Sequence, residues 1–265
     1  IGYSSIADGA TSTANGPNAY AAGDSSFAGQ HLAQAFGFQS TVIGYRAGAT
    51  GTSSTAIGPN AGAIGTSSFA GQSTAKAYGN YSTALGSGAG TTGTNAVAIG
   101  FSAGAIGGNS LAAQDSAMAY GARSTALGYA AGVTGSDAIA LGSAASAFGA
   151  NTVALGRAAG ATGTTSMACG AFAFATGIQC AAIGYSSIAD GATSTAVGPN
   201  AYAAGDSSFA GQHLAQAFGF QSTVIGYRAG ATGASSTAIG PNAGAIGANS
   251  FAGQSTAKAY GSDST

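Results

Sequence analysis

A glycine recurs at every fourteenth position of the chain, and this spacing constrains the fold more than any other feature. From Gly9 to Gly261 all nineteen positions of the series are glycine, with no insertion or deletion. A second series, starting at Gly2, is glycine in fourteen of nineteen turns and glutamine in the other five. A fixed period of this kind is typical of repeat architectures, in which one structural unit stacks on the next. The five glutamines are Gln30, Gln72, Gln114, Gln212 and Gln254.

A long internal duplication keeps the same register. Residues 183–265 repeat residues 1–83 with six differences, and the offset of 182 residues is thirteen whole turns. Duplication without loss of register indicates that the order of turns is flexible while the length of a turn is not. We therefore expect residues 1–265 to form one continuous solenoid domain of about nineteen turns.

Each turn is predicted to contain two short strands. Residues 54–57 alternate in polarity with the period of a strand and stop at Gly58, and residues 75–78 do the same before Gly79. A helix is disfavoured, because glycine recurs every few residues and costs about 1 kcal/mol at each interior helical position. The fold class is therefore all-β, with the glycines at positions where the chain turns and a Cβ would be costly.

The alternation also assigns the two faces of each strand. Small residues such as Ala56, Ala61 and Ala63 occupy alternate positions and so lie on one side of their strands. They predict a thin, alanine-lined interior. The opposite face of the first strand carries larger apolar residues and is predicted to be a stripe along every turn. Its members include Phe27, Ile57, Phe69, Val97, Ile99, Ile139, Leu141, Val153, Leu155, Phe209 and Phe251.

This stripe exceeds the few hundred Å² of exposed apolar surface that a soluble monomer usually carries, so we expect a second copy of the chain to cover it. Where the first residue of an outward pair is large, the second is small, as in Phe27 with Gly29 and Phe69 with Gly71. We interpret this compensation of volume as a sign of tight packing across the interface between chains.

Composition excludes several classes of function. Only 5% of the residues are charged, with six Lys and Arg against seven Asp, so nothing indicates binding to nucleic acid or to an anionic membrane surface. No run of about 18 uninterrupted apolar residues predicts a membrane-spanning helix. The chain starts at Ile1 and stops at Thr265 in the middle of the pattern, and we expect it to be a segment of a longer protein.

Residues for catalysis, cofactor binding or metal binding are not grouped in the sequence. His31 and His213 occupy the same position of the duplicated block, with no acid or nucleophile at a useful spacing, and we predict solvated turn residues. Cys169 and Cys180 match no zinc motif and are interpreted as small buried residues rather than a disulfide. We expect no enzymatic activity, no cofactor and no metal.

Aromatic residues are the most informative part of the outward surface. Phe36, Tyr78 and Tyr120 recur every forty-two residues, just before the invariant glycine, and three further turns hold an aromatic at the same position. One interpretation is that these rings cover a neighbouring strand or a seam between chains. The other is that they anchor a protein ligand, since Tyr and Phe are enriched at interfaces. The candidate ligand contacts are Phe36, Tyr78, Tyr120, Phe148, Phe218 and Tyr260.

The repeat resembles the head repeat of the YadA-like trimeric autotransporter adhesins. The likeness is carried by residues 53–58 (SSTAIG) followed by 61–65 (AGAIG), and most closely by residues 95–100 (NAVAIG), and it extends over the whole chain. It implies a left-handed parallel β-roll, assembled as a homotrimer. It also implies a head on the surface of a Gram-negative bacterium, anchored in the outer membrane by a domain outside this sequence.

The function implied by the resemblance is attachment to host extracellular matrix or to a host cell-surface protein, and so a role in virulence, with autoaggregation as a further possibility. In such adhesins the NSVAIG type of turn is associated with collagen binding, and residues 95–100 are its best match here. Here Val97 and Ile99 are predicted to lie inside the assembly, which favours a structural role for this motif.

Two alternatives of other classes remain open. A rigid spacer would hold a separate binding domain away from the cell surface and would show the same repeat. An ice-binding solenoid would also be rich in Ala, Thr and Gly, but it needs a sustained Thr-x-Thr ladder. Here Thr-x-Thr appears at residues 11–13 and in their copy at 193–195, and it is not sustained along the chain.

Overall fold

A computed structural model describes residues 2–265, and these residues form short parallel strands joined by tight turns, without a helix. The chain divides into two compact units, Ile1–Ala131 and Gly132–Thr265. In each unit a strand of two residues alternates with a strand that has three residues, except for the final one of the second type, which has two. This arrangement is a parallel β-solenoid of about eighteen turns.

The strands of the first unit are β1 Ile6–Ala7, β2 Thr13–Asn15, β3 Tyr20–Ala21, β4 Phe27–Gly29, β5 Gln34–Ala35, β6 Thr41–Ile43, β7 Gly48–Ala49, β8 Thr55–Ile57, β9 Gly62–Ala63, β10 Phe69–Gly71, β11 Lys76–Ala77, β12 Thr83–Leu85, β13 Gly90–Thr91, β14 Val97–Ile99, β15 Gly104–Ala105, β16 Leu111–Ala113, β17 Met118–Ala119 and β18 Thr125–Leu127.

The strands of the second unit are β19 Gly132–Val133, β20 Ile139–Leu141, β21 Ser146–Ala147, β22 Val153–Leu155, β23 Gly160–Ala161, β24 Met167–Cys169, β25 Phe174–Ala175, β26 Ala181–Ile183, β27 Ile188–Ala189, β28 Thr195–Val197, β29 Tyr202–Ala203, β30 Phe209–Gly211, β31 Gln216–Ala217, β32 Thr223–Ile225, β33 Gly230–Ala231, β34 Thr237–Ile239, β35 Gly244–Ala245, β36 Phe251–Ala252 and β37 Lys258–Ala259.

Strands of the same type pair in parallel with a register of fourteen residues. Ala56 of β8 pairs with Ala70 of β10, and Gly62 of β9 pairs with Lys76 of β11. Every outward side chain therefore lies directly above its counterpart in the previous turn. The two strand types thus form two parallel sheets within each unit.

A tight turn of four residues follows each strand, and its third residue has a positive φ. In the turn from Gly58 to Ala61, the N–H of Ala61 donates to the carbonyl oxygen of Gly58 at 3.1 Å, and Asn60 has a φ of 57°. Pro59 occupies the position that proline favours, and asparagine tolerates the left-handed conformation that the next position requires. The N–H of Asn60 also donates to the carbonyl oxygen of Tyr45 in the previous turn, at 2.9 Å.

Both glycine series lie against the backbone of the next turn, and they differ in backbone conformation. Glycines of the second series, such as Gly16 and Gly44, have φ values of 150° and 154°, where an L side chain is strained. Glycines of the invariant series have φ values outside this region. A Cβ on Gly93 would overlap the backbone of Gly107 in the next turn, which lies directly against it. Close approach between turns is therefore a second reason for glycine beside the turn conformation, and one that the sequence did not reveal.

Four columns of small side chains fill the interior. Three are the predicted alanine columns, and members such as Ala56 and Ala63 are fully buried. The fourth consists mostly of buried serines, which the sequence analysis did not assign to the core. Hydroxyls of this column form hydrogen bonds within their own turn. Ser54 Oγ, for example, donates to the carbonyl oxygen of Gly51 at 2.6 Å.

The two cysteines lie in different environments. Cys180 occupies a position of the serine column, is buried, and its Sγ donates to the carbonyl oxygen of Gly177 at 2.9 Å. Cys169 lies on the outward side of β24 and is half-buried, so its predicted burial was wrong. Cys169 occupies a position that is isoleucine in several other turns, and side chains at this position point away from the interior. Both thiols are free.

Candidate functional site

The outward side of the three-residue strands forms a surface that we call the apolar face. Its two columns contain no charged residue in any turn, and large aliphatic side chains remain exposed there in the single chain. Ile57 is 39% exposed and Ile99 is 42% exposed. Parity thus assigned these side chains to the correct side of the strand.

All of the predicted stripe residues lie on this apolar face. Phe251, Ile57, Ile99 and Ile139 are exposed, while the remainder are half-buried by their neighbours in adjacent turns. The remainder are Phe27, Phe69, Val97, Leu141, Val153, Leu155 and Phe209. The structure of one chain therefore leaves the stripe available to a partner.

The pairing of a phenylalanine with a glycine on this face has a cause within one chain. The ring of Phe27 lies along its own strand above Gly29, so that a Cβ on Gly29 would stand 2.7 Å from Phe27 Cε1. Phe209 covers Gly211 at the same distance. The compensation of volume, which we interpreted as packing between chains, is therefore explained by this local contact and does not by itself indicate an interface.

The outward side of the two-residue strands, together with the residue that follows each strand, forms a second surface, which we call the mixed face. It carries Asp8, Lys76, Asp190 and Lys258 besides glycine, threonine, isoleucine and aromatic residues. Charged groups keep their hydration when they face water. The mixed face is thus better suited to solvent than the apolar face.

The six candidate ligand-contact aromatics all lie on the mixed face and are exposed. Their exposed fractions run from 42% for Phe36 and Phe218 to 67% for Tyr260. The others are Tyr78, Tyr120 and Phe148. The strand pairing places successive aromatics of this column several turns apart, with smaller side chains between them.

Two of these rings also contact a second aromatic one turn away. Phe36 meets Tyr20 edge to face with ring centroids 5.4 Å apart, and Phe218 meets Tyr202 in the same way. The hydroxyl of Tyr202 donates to Asp190 Oδ2 at 2.8 Å. This hydrogen bond to a carboxylate raises the pKa of Tyr202 above its usual range, with burial and the negative charge of Asp190 adding to the effect.

A further group of aromatic and basic residues lines the turns between the two faces. His31 and His213 are exposed, as predicted, but each ring also packs on a tyrosine of the next turn, with 5.5 Å between the centroids of His31 and Tyr45. In the second unit the guanidinium of Arg157 lies 4.5 Å from the centre of the Phe172 ring. The sequence signal for these contacts is a spacing of fourteen residues between each histidine and its tyrosine and of fifteen residues between Arg157 and Phe172.

Shallow cavities open on the mixed face where its first column is glycine. One of about 220 Å³ has Gly230 and Gly244 in its floor and Arg228 and Lys258 on its walls. An adjoining cavity of about 310 Å³ is lined by Leu214, Gln216 and Arg228. The duplicated residues of the first unit, Leu32, Gln34 and Arg46, line a cavity of about 290 Å³.

Among residues 2–265, no group of three or more His, Cys, Asp or Glu side chains is close enough together to hold a metal ion. A helix with the length and hydropathy needed to cross a bilayer is also absent from that range.

Comparison with known families gives one match. The family profile described as the YadA head domain repeat, two copies, matches most of the chain. No curated protein matches the chain. The matched segments, which overlap in places, are residues 1–19, 7–28, 35–61, 73–89, 77–103, 91–113, 119–144, 134–159, 161–187, 181–201, 189–210 and 217–243.

Proposed function

The chain belongs to the YadA head repeat family, and from this membership we propose that it is the adhesive head of a trimeric autotransporter that binds host extracellular matrix or host cells. Membership in the family supports an adhesin rather than an enzyme. The parallel β-solenoid fits such a head, which we expect to be a left-handed roll.

The observation that carries the proposal is the contrast between the two faces. The apolar face has no charged residue in either column, whereas the mixed face carries two lysines and two aspartates. Exposed aliphatic side chains along one face are unfavourable in water. Burying one side chain of this size stabilises a protein or a complex by about 1.5–3 kcal/mol relative to leaving it exposed. We propose that three chains pack through their apolar faces.

This arrangement would leave the three mixed faces toward solvent and available to a ligand. The exposed aromatics Phe36, Tyr78 and Tyr120 are then candidate anchors, because large rings contribute much of the binding energy of protein interfaces. Three copies of a repeated surface would also raise the overall affinity through multivalency. A surface location, with anchoring in a Gram-negative outer membrane, is part of the same proposal and rests on the family.

A rigid spacer is the second candidate, and the regular register of the strands favours it. A spacer needs the trimer but not a ligand on the mixed face. Binding to cells or matrix therefore separates the two functions, whereas the oligomeric state does not.

Light scattering during size-exclusion chromatography tests the assembly. We expect the mass of three chains, and a folded monomer would contradict packing through the apolar face. Adhesion is tested on the purified trimer with matrix proteins and host cells, comparing the unmodified chain with a variant in which Phe36, Tyr78 and Tyr120 are all serine.

The triple variant is expected to melt at the same temperature as the unmodified trimer and to bind less. Undiminished binding would exclude these rings as anchors. Failure of the unmodified trimer to bind any matrix protein or cell would contradict the adhesin and support the spacer.

A further inference from the structure

The mixed face of the second unit has a basic cavity lined by Arg228 and Lys258. The identical residues of the duplicated block, with Arg46 and Lys76, form the corresponding group in the first unit, which we treat as the second basic cavity. Four of the six Lys and Arg residues of the chain belong to these two groups, with Arg228 and Lys258 at the cavity of the second unit and Arg46 and Lys76 at the duplicated positions of the first. In a chain with so few charges, this placement is the strongest electrostatic feature of the surface. It was not recognised in the sequence, because the two members of each pair are thirty residues apart.

The side chain of the lysine is held in place by the fold. Lys258 Nζ donates to the carbonyl oxygen of Asn242 at 3.1 Å, and the ammonium group lies over Gly244 in the floor of the cavity. Lys76 makes the same contact with Asn60 at 3.0 Å and lies over Gly62. A backbone carbonyl leaves the positive charge of the ammonium uncompensated.

The arginine has no acidic partner at the cavity. No carboxylate is present among the residues that line either cavity in which Arg228 takes part. Its guanidinium lies 6.0 Å from the centre of the Tyr227 ring, which is a weak contact at an exposed site. A planar guanidinium with free N–H groups is suited to bidentate binding of a carboxylate or sulfate group.

The floor of the cavity restricts the kind of molecule that can bind. Gly230 and Gly244 pair with each other and with the strands on both sides, so their backbone groups are already used in the sheet. A peptide strand would find no backbone partners there, unlike at the edge of a sheet. Above Gly230 the only heavy atom within 4 Å of a Cβ position is the carbonyl oxygen of Gln216, at 3.9 Å, which leaves a flat open floor.

The walls supply the other contacts that a sugar ring needs. Phe218 and Ile246 offer apolar surface on one side, and the side chains of Gln216 and Thr232 offer hydrogen-bonding groups. The volume of about 220 Å³ is below the range of about 300–1,000 Å³ for drug-sized ligands and suits one ring rather than a chain segment.

We propose that each basic cavity binds one anionic sugar residue, carboxylated or sulfated, with its acid group between the arginine and the lysine. This inference deepens the proposed adhesive function, on which it rests for the mixed face being open to solvent. The ligand would then be the acidic glycan of a host surface, with two sites on every chain.

The test uses the assembled protein and three small probes, with affinity and stoichiometry measured by calorimetry and ligand-observed NMR. The probes are methyl glucuronide, its uncharged counterpart methyl glucoside, and a galactoside 6-sulfate. We expect two sites per chain for at least one acidic probe and binding of the neutral probe at least about tenfold weaker, as loss of a charge-assisted contact predicts.

Variants locate the site. Arg46→Ala is expected to leave one site per chain with unchanged affinity, and the pair Arg46→Ala with Arg228→Ala is expected to weaken binding at least about tenfold. Arg157→Ala is the matched control, since Arg157 packs on Phe172 away from these cavities. Equal loss in the control would overturn the assignment.

Other results would also contradict the inference. Binding of neither acidic probe, equal binding of the neutral probe, or tighter binding of a short poly-glutamate peptide would each overturn the sugar site. These outcomes are distinguishable from failure of the adhesin proposal, because the trimer could still attach to cells through its aromatic residues. Conversely, sugar binding without attachment would leave the cavity in place and contradict adhesion.

Discussion

The backbone of Gly107 lies against Gly93 so closely that a Cβ on Gly93 would stand only 2.5 Å from the carbonyl carbon of Gly107. Three residues earlier, a Cβ on Gly90 would have no neighbour within 4 Å. These two glycines differ in their surroundings although both have φ outside the left-handed region. They therefore separate the effect of close packing from that of backbone conformation.

Alanine substitutions at these glycines are expected to act in opposite directions. Gly93→Ala should destabilise the fold by about 1–3 kcal/mol or more, because neighbouring turns must move apart. Gly90→Ala should be neutral or stabilising by about 0.4–1 kcal/mol, because it restricts the unfolded chain without a clash. Thermal and denaturant unfolding of both variants measure the difference, and equal destabilisation would refute the packing explanation.

The contact of Phe27 with Gly29 predicts strong coupling between the two positions. Gly29→Ile alone should destabilise the chain, since the new side chain meets the ring. In the double variant Phe27→Thr with Gly29→Ile, the strand would read as in Thr55–Ile57, and most of the loss should be recovered. A double-mutant cycle in chemical denaturation should give a coupling energy of about 0.5–3 kcal/mol, whereas additive effects would contradict the contact.

A charge on the apolar face should prevent assembly, while the same charge on the mixed face should not. Ile99 is 42% exposed and Ile106, on the mixed face, is 40% exposed, so the two residues are matched in the single chain. Ile99→Asp would bury an unpaired carboxylate in the proposed interface and should yield monomers in light scattering. Ile106→Asp should leave the trimer intact, and loss of the trimer in both variants would contradict the assignment of the faces.

The two thiols should report on folding and assembly separately. Burial raises the pKa of Cys180, which keeps its thiol protonated and slow to react at neutral pH. Cys169 lies on the apolar face and should be protected in the trimer but labelled by a maleimide in the Ile99→Asp variant. Cys169→Ser and Cys180→Ser identify the labelled site, and rapid labelling of Cys169 in the intact trimer would contradict its burial there.

The Tyr202–Asp190 hydrogen bond predicts a pH dependence. The pKa of Tyr202 is raised above the ordinary value of 10.0, so its contribution to stability is complete below that value and is lost as the pH rises through the folded-state pKa. The equivalent Tyr20–Asp8 pair raises the pKa of Tyr20 in the same direction. Ultraviolet absorbance should show Tyr20 and Tyr202 ionising at a higher pH in the unmodified chain than in the double variant Asp8→Asn with Asp190→Asn.

Periodicity accounts for the part of the fold that could be predicted. A strand exposes alternate side chains, so the columns of Ala56 and Ile57 identify the inner and outer sides without further information. The all-β class, the two strands per turn and the burial of the alanine columns follow from that rule. The buried serine column was missed, because a polar residue next to a turn is usually assigned to the surface.

The candidate sites were harder to predict, because they depend on how side chains cross from one turn to the next. Lys76 reaches the carbonyl oxygen of Asn60, sixteen residues earlier, and thereby comes to lie over Gly62. The alternation of residues along a strand does not predict this contact. The cause of the phenylalanine–glycine pairing was likewise misjudged, since a ring lying along its own strand leaves the same pattern as packing between chains.

The constant fourteen-residue register of the strand pairs has a consequence for how such a gene can change. A single residue inserted in a strand would give that turn fifteen residues, turn the side chains that follow it in the strand to the opposite face, and displace the glycine contacts with the adjacent turns. Exchange between misaligned copies of the repeat, in contrast, adds or removes whole multiples of fourteen codons and leaves every contact of the remaining turns intact. The length of the protein is therefore a trait that recombination can adjust in discrete steps, while its cross-section is protected from change.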